Sequence, residues 1–153
     1  MLLCLMLVAA VLMICGEPAG ARIVKTDEAA ADRDPRGVFG RIAEAWEAGD
    51  QQALADLVHE TGLRVTSGGN PERSTHYSPS QAFYYFKNLF QSYRTLLLTF
   101  DKMQDATAGD RVHGMAVWQR RRPDSERVQE VKLVFVLARQ EDRWQLVEIN
   151  KIR

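Results

Sequence analysis

The junction between Gly49 and Asp50 constrains the fold of this chain more than any other feature of its sequence. Apolar residues recur at three- and four-residue spacing on both sides of it, so two amphipathic helices meet without a linker. Gly49 can adopt the left-handed conformation that ends a helix, and the Asp50 carboxylate can accept hydrogen bonds from the first N–H groups of the next helix. The sequence therefore predicts a sharp corner between a helix that begins near Gly37 and a second helix that begins at Asp50.

A third helix is predicted to begin at Ser78. In the segment Ser78-Pro79-Ser80-Gln81, a capping serine, a proline in the first turn and a glutamine three residues after the cap form the pattern of a capping box. The apolar residues that follow recur with the spacing of one helical face. They are Ala82, Phe83, Phe86, Leu89 and Phe90.

After Tyr93 the apolar residues alternate with polar ones, which is the period of a β-strand. An earlier short strand is predicted at Leu63-Arg64-Val65-Thr66-Ser67, and short polar connections separate the later strands, as antiparallel hairpins require. The alternating positions define four later strands: Leu96, Leu98 and Phe100; Val112, Gly114, Ala116 and Trp118; Val131, Leu133, Phe135 and Leu137; Trp144 and Leu146. We predict an α+β domain in which three N-terminal helices pack on a strongly curved antiparallel sheet.

The opposite faces of these strands are also partly apolar. The residues concerned are Leu97, Met115, Val117, Val134, Val136, Val147 and Ile149. Because helices can cover only one side of the sheet, the other side is predicted to pack on a second sheet or a second copy of the chain. A homodimer through the outer sheet face is therefore the predicted assembly. In the last strand the apolar positions change from Leu146 to Val147, which indicates a one-residue bulge.

Residues 1–21 are predicted to be a signal peptide. The uncharged apolar run over residues 2–15 is shorter than the roughly 20 residues of a permanent membrane-spanning helix. Ala19-Gly20-Ala21 has the small-x-small pattern that signal peptidase recognises. We predict an exported protein, periplasmic or secreted, with no membrane span once the leader is removed. A lipid anchor at Cys15 and an uncleaved leader are the alternatives.

Both cysteines of the chain, Cys4 and Cys15, lie within this leader. The mature chain would therefore have no thiol for a disulfide, a metal site or a nucleophile. Residues 22–36 mix alanines with charged residues and show no apolar period, which predicts a flexible spacer. The remaining residues, 37–153, are long enough for one ordinary domain.

The charges of the chain are balanced, with 20 acidic and 20 basic side chains. Its overall field therefore attracts neither nucleic acid nor an anionic membrane, and no nucleic-acid partner is predicted. The one local basic run, Arg120-Arg121-Arg122, precedes a predicted hairpin tip at Pro123-Asp124-Ser125-Glu126. We predict that these arginines are exposed to solvent and keep the turn soluble. The alternative is that they contact an anion or a partner.

From about Gly37 to Arg153, this order of elements resembles the nuclear transport factor 2-like superfamily. Within it, Tyr77-Ser78-Pro79-Ser80-Gln81-Ala82 followed by Phe86 and Phe90 is similar to the start of the third helix in a group of exported bacterial domains of unknown function. The resemblance implies a cone-shaped domain with a pocket between the helices and the concave sheet face. Members include ketosteroid isomerase, scytalone dehydratase, polyketide cyclases and many non-catalytic domains, so the fold leaves the function open.

The catalytic relatives place an acid or base on the concave surface and a Tyr or His opposite it. By this resemblance the catalytic candidates are His113, Glu148 and Tyr85, and the ligand-pocket candidates are Trp46, Tyr85, Phe86, Phe100, Trp118 and Asn150. For Trp46, which lies on the apolar stripe of the first helix, packing in the core is the alternative. His113 alternates with the strand position of Trp118 and therefore faces the other way. Glu148 and Asn150 enter the pocket if the last strand is regular, but a bulge turns them outward.

The three histidines, His59, His76 and His113, are widely separated and show no spacing typical of metal ligands. Neither a metal nor a cofactor is predicted. Because no convincing acid–base pair emerges, we predict a non-catalytic module of the cell envelope that binds a small apolar ligand or takes part in assembly. The alternative is a small isomerase, dehydratase or cyclase that acts on an apolar molecule, with His113 or Glu148 as base and Tyr85 as hydrogen-bond donor.

Overall fold

The computed structural model describes residues 32–68, 70–104 and 109–152. The helices in these ranges are α1 (Pro35–Ala48), α2 (Gln51–Asp56), α3 (Pro79–Ser92) and a short 3-10 helix at Pro71–Arg73. The strands are β1 (Leu63–Ser67), β2 (Ser74–Tyr77), β3 (Arg94–Met103), β4 (Arg111–Arg121), β5 (Gln129–Gln140) and β6 (Arg143–Ile152). The predicted signal peptide and most of the predicted spacer lie outside the described residues. Within those ranges, no helix has both the length and the apolar character needed to cross a membrane.

The six strands form one mixed sheet in the order β2-β1-β6-β5-β4-β3. The α+β class and the packing of helices on a sheet are confirmed. The consecutive strands β3 to β6 pair antiparallel, as their short connections predict. One pairing differs from the predicted antiparallel pattern, because β1 runs parallel to β6. A tight hairpin forces the strands that it joins to run antiparallel. A long stretch of chain separates β1 from β6, so these two strands can pair in parallel.

The corner at Gly49 and Asp50 forms as predicted. Gly49 has a φ of 66° and a ψ of 28°, which is the left-handed conformation that closes α1. The Asp50 carboxylate accepts hydrogen bonds from the N–H groups of Gln52 and Ala53, at 3.1 and 3.0 Å. Both helix ends are thereby satisfied within two residues of chain, which explains why the corner needs no linker.

The capping box at the start of α3 is also confirmed. The Ser78 hydroxyl accepts from the Gln81 N–H at 3.4 Å, and the Gln81 side chain accepts from the Ser78 N–H at 2.9 Å. Helix α1 has a similar capped start. It begins at Pro35, two residues before the predicted start at Gly37. There the Asp34 carboxylate accepts from a backbone N–H, and Pro35 occupies a first-turn position that needs no donor.

Contacts of the folded domain reach back to Asp32. The Asp32 carboxylate is buried and forms ion pairs with Arg41 of α1 and Arg143 of β6. Its backbone carbonyl accepts a hydrogen bond from the Trp144 N–H at 2.8 Å. The end of the predicted spacer is therefore attached to both a helix and the last strand.

The core lies between the helices and the inner face of the sheet, with Trp46 at its centre. Trp46 is buried, and its ring meets four other rings edge-on at centroid distances of 5.4 to 5.9 Å. These rings belong to Phe86, Phe90, Trp118 and Phe135. Such edge-to-face contacts add to the stabilisation that burial of the indole already supplies.

Strand β6 contains the predicted bulge. Leu146 pairs with Leu137 and Glu148 pairs with Val136, so Val147 has no paired residue on β5. After the bulge, Ile149 is buried on the inner face of the sheet. Glu148 and its alternating neighbour Asn150 consequently face away from the core, beside the outer residues of β5.

Candidate ligand-binding site

A cavity of about 290 Å³ lies between the helices and the inner face of the sheet. Helices α1 and α3 contribute to one side of it, and β1, β4, β5 and β6 contribute to the other. Its aromatic lining comprises Trp46, Tyr77, Tyr85, Tyr93 and Trp118. Aliphatic side chains add to this apolar surface, and the hydroxyl groups of Thr66, Ser67 and Thr75 add polar positions to it.

Arg120 lies inside this cavity rather than at the tip of a hairpin. Its side chain continues the inward alternation of β4 after Trp118, and only 8% of the residue is exposed. The Arg120 Cζ atom lies 3.6 Å from the centroid of the Tyr93 ring and 4.6 Å from that of the Trp118 ring. The prediction of a solvent-exposed charge was therefore wrong for Arg120, because β4 extends to Arg121 before the chain turns.

Two buried N–H donors that belong to lining residues have no hydrogen-bond partner among the described residues. They are Nε of Arg120 and Nε1 of Trp46. The neighbouring indole of Trp118 is different, since its Nε1 donates to the Thr95 hydroxyl at 3.0 Å. A buried donor without an acceptor costs about 1–3 kcal/mol, so each of these two is a polar group whose loss of hydration the described residues do not offset.

The lining also contains a phenol that stays protonated. Burial raises the pKa of Tyr85, the nearby Tyr77 raises it further, and Arg120 lowers it by a smaller amount. Tyr85 is therefore a neutral hydroxyl that can donate a hydrogen bond into the cavity. Burial also lowers the pKa of Arg120, an effect that Tyr93 opposes, yet an arginine remains charged at any physiological pH.

The charged side chains that line the cavity are all positive. They are Arg73, Arg120 and Lys151, and no lining residue within the described ranges is an aspartate, a glutamate or a histidine. Abstraction of a proton from a bound substrate needs a base within hydrogen-bond reach. The arrangement can bind and orient a molecule, and it can donate hydrogen bonds, but it offers no carboxylate or imidazole as a base.

The structure brings together some of the predicted pocket residues and not others. Trp46, Tyr85 and Trp118 line the cavity. Phe86 lies behind this surface, with its ring 5.9 Å from that of Trp46, and Phe100 packs on Phe39 and Phe135 deeper in the core. Asn150 is outside the lining, because the bulge in β6 turns it to the outer face.

The two predicted bases lie away from Tyr85. His113 is exposed on the outer face of β4, where its Nδ1 lies 3.1 Å from Oε1 of Gln104. Glu148 is on the outer face of β6, opposite Val136. From the sequence, His113 was predicted to face outward if Trp118 faces the concave side of the sheet. Trp118 does line the cavity on that side, so this condition holds.

The three histidines make separate contacts outside the cavity. His59 lies after α2, where its Nδ1 is 2.8 Å from the Thr61 hydroxyl, and His76 is exposed on β2. In the part of the chain that the structure describes, no three His, Cys, Asp or Glu side chains are grouped so that they could hold a metal ion.

An open groove of about 410 Å³ runs along α3 next to the cavity. The two spaces share Tyr77, Tyr85, Leu89 and Tyr93, so the groove borders the cavity along this edge. Sequence patterns did not indicate Tyr77 or Tyr93 as site residues, because β2 has no alternating apolar pattern and Tyr93 is the single extended residue between α3 and β3.

No protein-family model matches this sequence, and no curated protein matches it. Solved structures resemble it at low sequence identity. A DUF4783 family protein from Bacteroides fragilis YCH46 has a TM-score of 0.59 at 12% identity, covering 74% of this chain and 95% of that protein. A domain of unknown function with a cystatin-like fold from Nostoc punctiforme PCC 73102 has a TM-score of 0.58 at 15% identity, covering 84% of this chain and 77% of that one.

A third structure is a hypothetical protein with a ketosteroid isomerase-like fold from Catenulispora acidiphila DSM 44928, in complex with trimethylamine. Its TM-score is 0.59 at 15% identity, and the match covers 76% of this chain and 84% of that protein. At such identities the likeness shows the fold and not the activity. The chain therefore has the nuclear transport factor 2-like fold that its order of elements predicts.

Proposed function

We propose that this protein is an exported, non-catalytic domain that binds one small apolar molecule inside its cone. The observation that carries the proposal is the composition of the cavity lining, which has five aromatic side chains and, among the described residues, no carboxylate or imidazole. Such a lining favours binding through burial of apolar surface. Among the residues that the structure describes, the lining offers the isomerase, dehydratase or cyclase alternative no carboxylate or imidazole base beside Tyr85.

The volume of the cavity limits the ligand. A space of about 290 Å³ is at the lower end of the range for small-molecule sites, which is about 300–1,000 Å³. A molecule about the size of a fused pair of rings suits a space of this volume. Export is supported by the leader pattern over residues 1–21, which lies outside the described residues.

The trimethylamine complex of the Catenulispora acidiphila protein supports ligand binding by a domain of this fold. We do not expect this chain to bind the same ligand. Trimethylamine is positively charged when protonated, and the positive charges of Arg73, Arg120 and Lys151 in the lining would repel it.

Native mass spectrometry of the protein purified from the envelope fraction of a bacterial host tests both parts of the proposal. We expect a chain that begins near Arg22 and carries one non-covalent small-molecule adduct. In the variant Val131→Phe the adduct should be lost, because Val131 is buried in the lining and a phenylalanine there fills part of the cavity. Val128→Phe is the matched control, since Val128 is exposed and lies outside the lining.

An adduct that both variants retain would place the ligand elsewhere and defeat the proposed site. A wild-type protein without any adduct would contradict ligand binding in the host, and a mass that includes the leader would contradict its cleavage.

We also propose that two copies associate through the outer face of the sheet. Leu97 and Met115 on this face are 43% and 40% exposed, and Val117 and Val134 are half-buried beside them. Met115 pairs directly with Val134 across β4 and β5, so the apolar residues form one patch. The helices pack on the other face, which leaves this patch to a partner of similar character.

Light scattering on the purified protein measures the proposed association. We expect the mass of a dimer for the wild type and the mass of a monomer for Met115→Glu, because the substitution puts a charge at the centre of the patch. Met103→Glu is the control, since Met103 is also 40% exposed but pairs with the inner-face residue Gly114. A wild-type monomer at high protein concentration would rule out the dimer.

A further inference from the structure

We infer that the ligand of the cavity is a small organic anion, with a carboxylate or a similar group on an apolar body, and that Arg120 binds its negative end. This inference rests on the proposed binding function and specifies the charge of the ligand. Four observations on the same cavity support it: the position of Arg120, its unpaired Nε, the sign of the surrounding charges, and the apolar surface beside them.

Two aromatic rings pack against the guanidinium of Arg120. The Tyr93 ring lies against the guanidinium at 3.6 Å, and the Trp118 ring lies 4.6 Å away. A ring that packs on the face of a guanidinium interacts with its π-system and leaves the N–H groups, which lie in the plane, for other acceptors. Carboxylates match this planar fork of donors in geometry and in charge.

Within the described part of the chain, no acidic side chain lines the cavity beside Arg120. The residue is buried, its Nε has no partner among the described residues, and the lining within those ranges contains no aspartate or glutamate. A buried positive charge is retained in proteins when a counterion or several acceptors compensate its desolvation. A ligand that supplies a negative charge would meet this need from inside the cavity.

The other polar groups of the cavity favour the same ligand. Lys151 and Arg73 add positive charge to its wall, which attracts an anion into a space with low-dielectric sides. Burial raises the pKa of Tyr85, so its hydroxyl remains a hydrogen-bond donor. Tyr85 and Arg120 therefore bring donors to the wall of one space, and an oxyanion provides several acceptor positions.

The apolar part of the lining requires an apolar body on the ligand. Trp118, Val131 and Leu133 lie on adjacent strands of the inner sheet face and present ring and methyl surface beside Arg120. A bare inorganic anion would leave this surface in contact with water, whereas an aromatic or branched carboxylate would cover it.

Isothermal titration calorimetry with two matched probes tests the inference on the purified protein. The probes are naphthalene-2-carboxylate and naphthalene-2-carboxamide, which have the same rings and differ in charge. We expect the carboxylate to bind about ten- to a hundred-fold more tightly, because a hydrogen bond to a charged group is worth about 1.5–3 kcal/mol. This comparison uses the wild type alone and does not depend on how any variant folds.

The variants then assign the preference to Arg120. In Arg120→Met the two probes should bind with similar affinity, because the apolar stem remains and the charged fork is gone. Arg111→Met is the control for the loss of an arginine from the same strand, since Arg111 is exposed and outside the lining, and it should keep the preference for the carboxylate.

The outcomes separate the inference from the binding function on which it rests. Equal affinity of the wild type for both probes would overturn the anion specificity and keep the proposed binding of an apolar molecule. Binding of neither probe would contradict both. A carboxylate preference that persists in folded Arg120→Met would assign the anion to the other cations and remove the role of Arg120.

Discussion

Replacing Trp46 by alanine is expected to lower the free energy of unfolding by about 3–5 kcal/mol, the usual cost of deleting a buried tryptophan. The substitution removes the ring on which four other aromatic rings pack, those of Phe86, Phe90, Trp118 and Phe135. Since small domains are stable by only about 5–15 kcal/mol, this one change would remove a large part of the total.

Urea denaturation followed by circular dichroism measures this loss for Trp46→Ala. Tyr84→Ala is the matched control, because Tyr84 is an aromatic residue of α3 that is 61% exposed, and its loss should cost about 0.5 kcal/mol or less. Similar unfolding midpoints for the two variants would show that Trp46 is not the centre of the core.

Gly62→Ala is expected to lower the free energy of unfolding by about 2–4 kcal/mol, from an unfavourable backbone conformation and a steric clash together. Gly62 has a φ of 101°, which residues with a side chain rarely adopt. A Cβ atom at this position would overlap the carbonyl oxygen of Tyr77 and would lie 2.8 Å from Cε1 of His76. The methyl group would therefore push β1 away from β2.

The control for this prediction is Gly109→Ala. Gly109 has a similar φ of 111°, but among the described residues no heavy atom lies within 4 Å of the position of its Cβ. The difference between the two unfolding energies therefore measures the clash separately from the backbone strain. Equal losses in the two variants would mean that the close approach of β1 and β2 tolerates a methyl group. Because Thr75 and Tyr77 of β2 line the cavity, Gly62→Ala should also weaken ligand binding.

Those parts of the fold that depend on neighbouring residues were predictable from the sequence. The corner at Gly49 and the cap at Ser78 each need only a few consecutive side chains, and alternation marks β4 to β6 because one face of each of these strands is largely buried. The prediction of an inward Leu96 on β3 was wrong, because a register shift between Thr95 and Leu97 leaves it 43% exposed. The strand β2 was not predicted, since its first three residues are exposed and give it no apolar period. The attachment of Asp32 to Arg143 was equally hidden, because it joins residues that are far apart in the sequence.

The site shows the same division. Trp46 and Trp118 lie on apolar stripes, so their inward direction follows from helical and strand periodicity. Arg120 lies two residues after Trp118 on β4, so strand alternation alone would have predicted an inward side chain. The sequence analysis instead predicted a solvent-exposed side chain, because Arg120 is charged and close to a predicted turn. The convergence of Arg73 and Lys151 on the same space depends on the pairing of distant strands, which no local pattern indicates.

The parallel pairing of β1 with β6 also determines when the binding site can exist during protein synthesis. Arg64 pairs with Glu148 and Ser67 pairs with Lys151, so the wall between these strands joins residues that are far apart in the sequence. Contacts between such distant residues form slowly and cannot form before both partners have been made. The cavity can therefore hold a ligand only after β6 has been synthesised and has paired with β1.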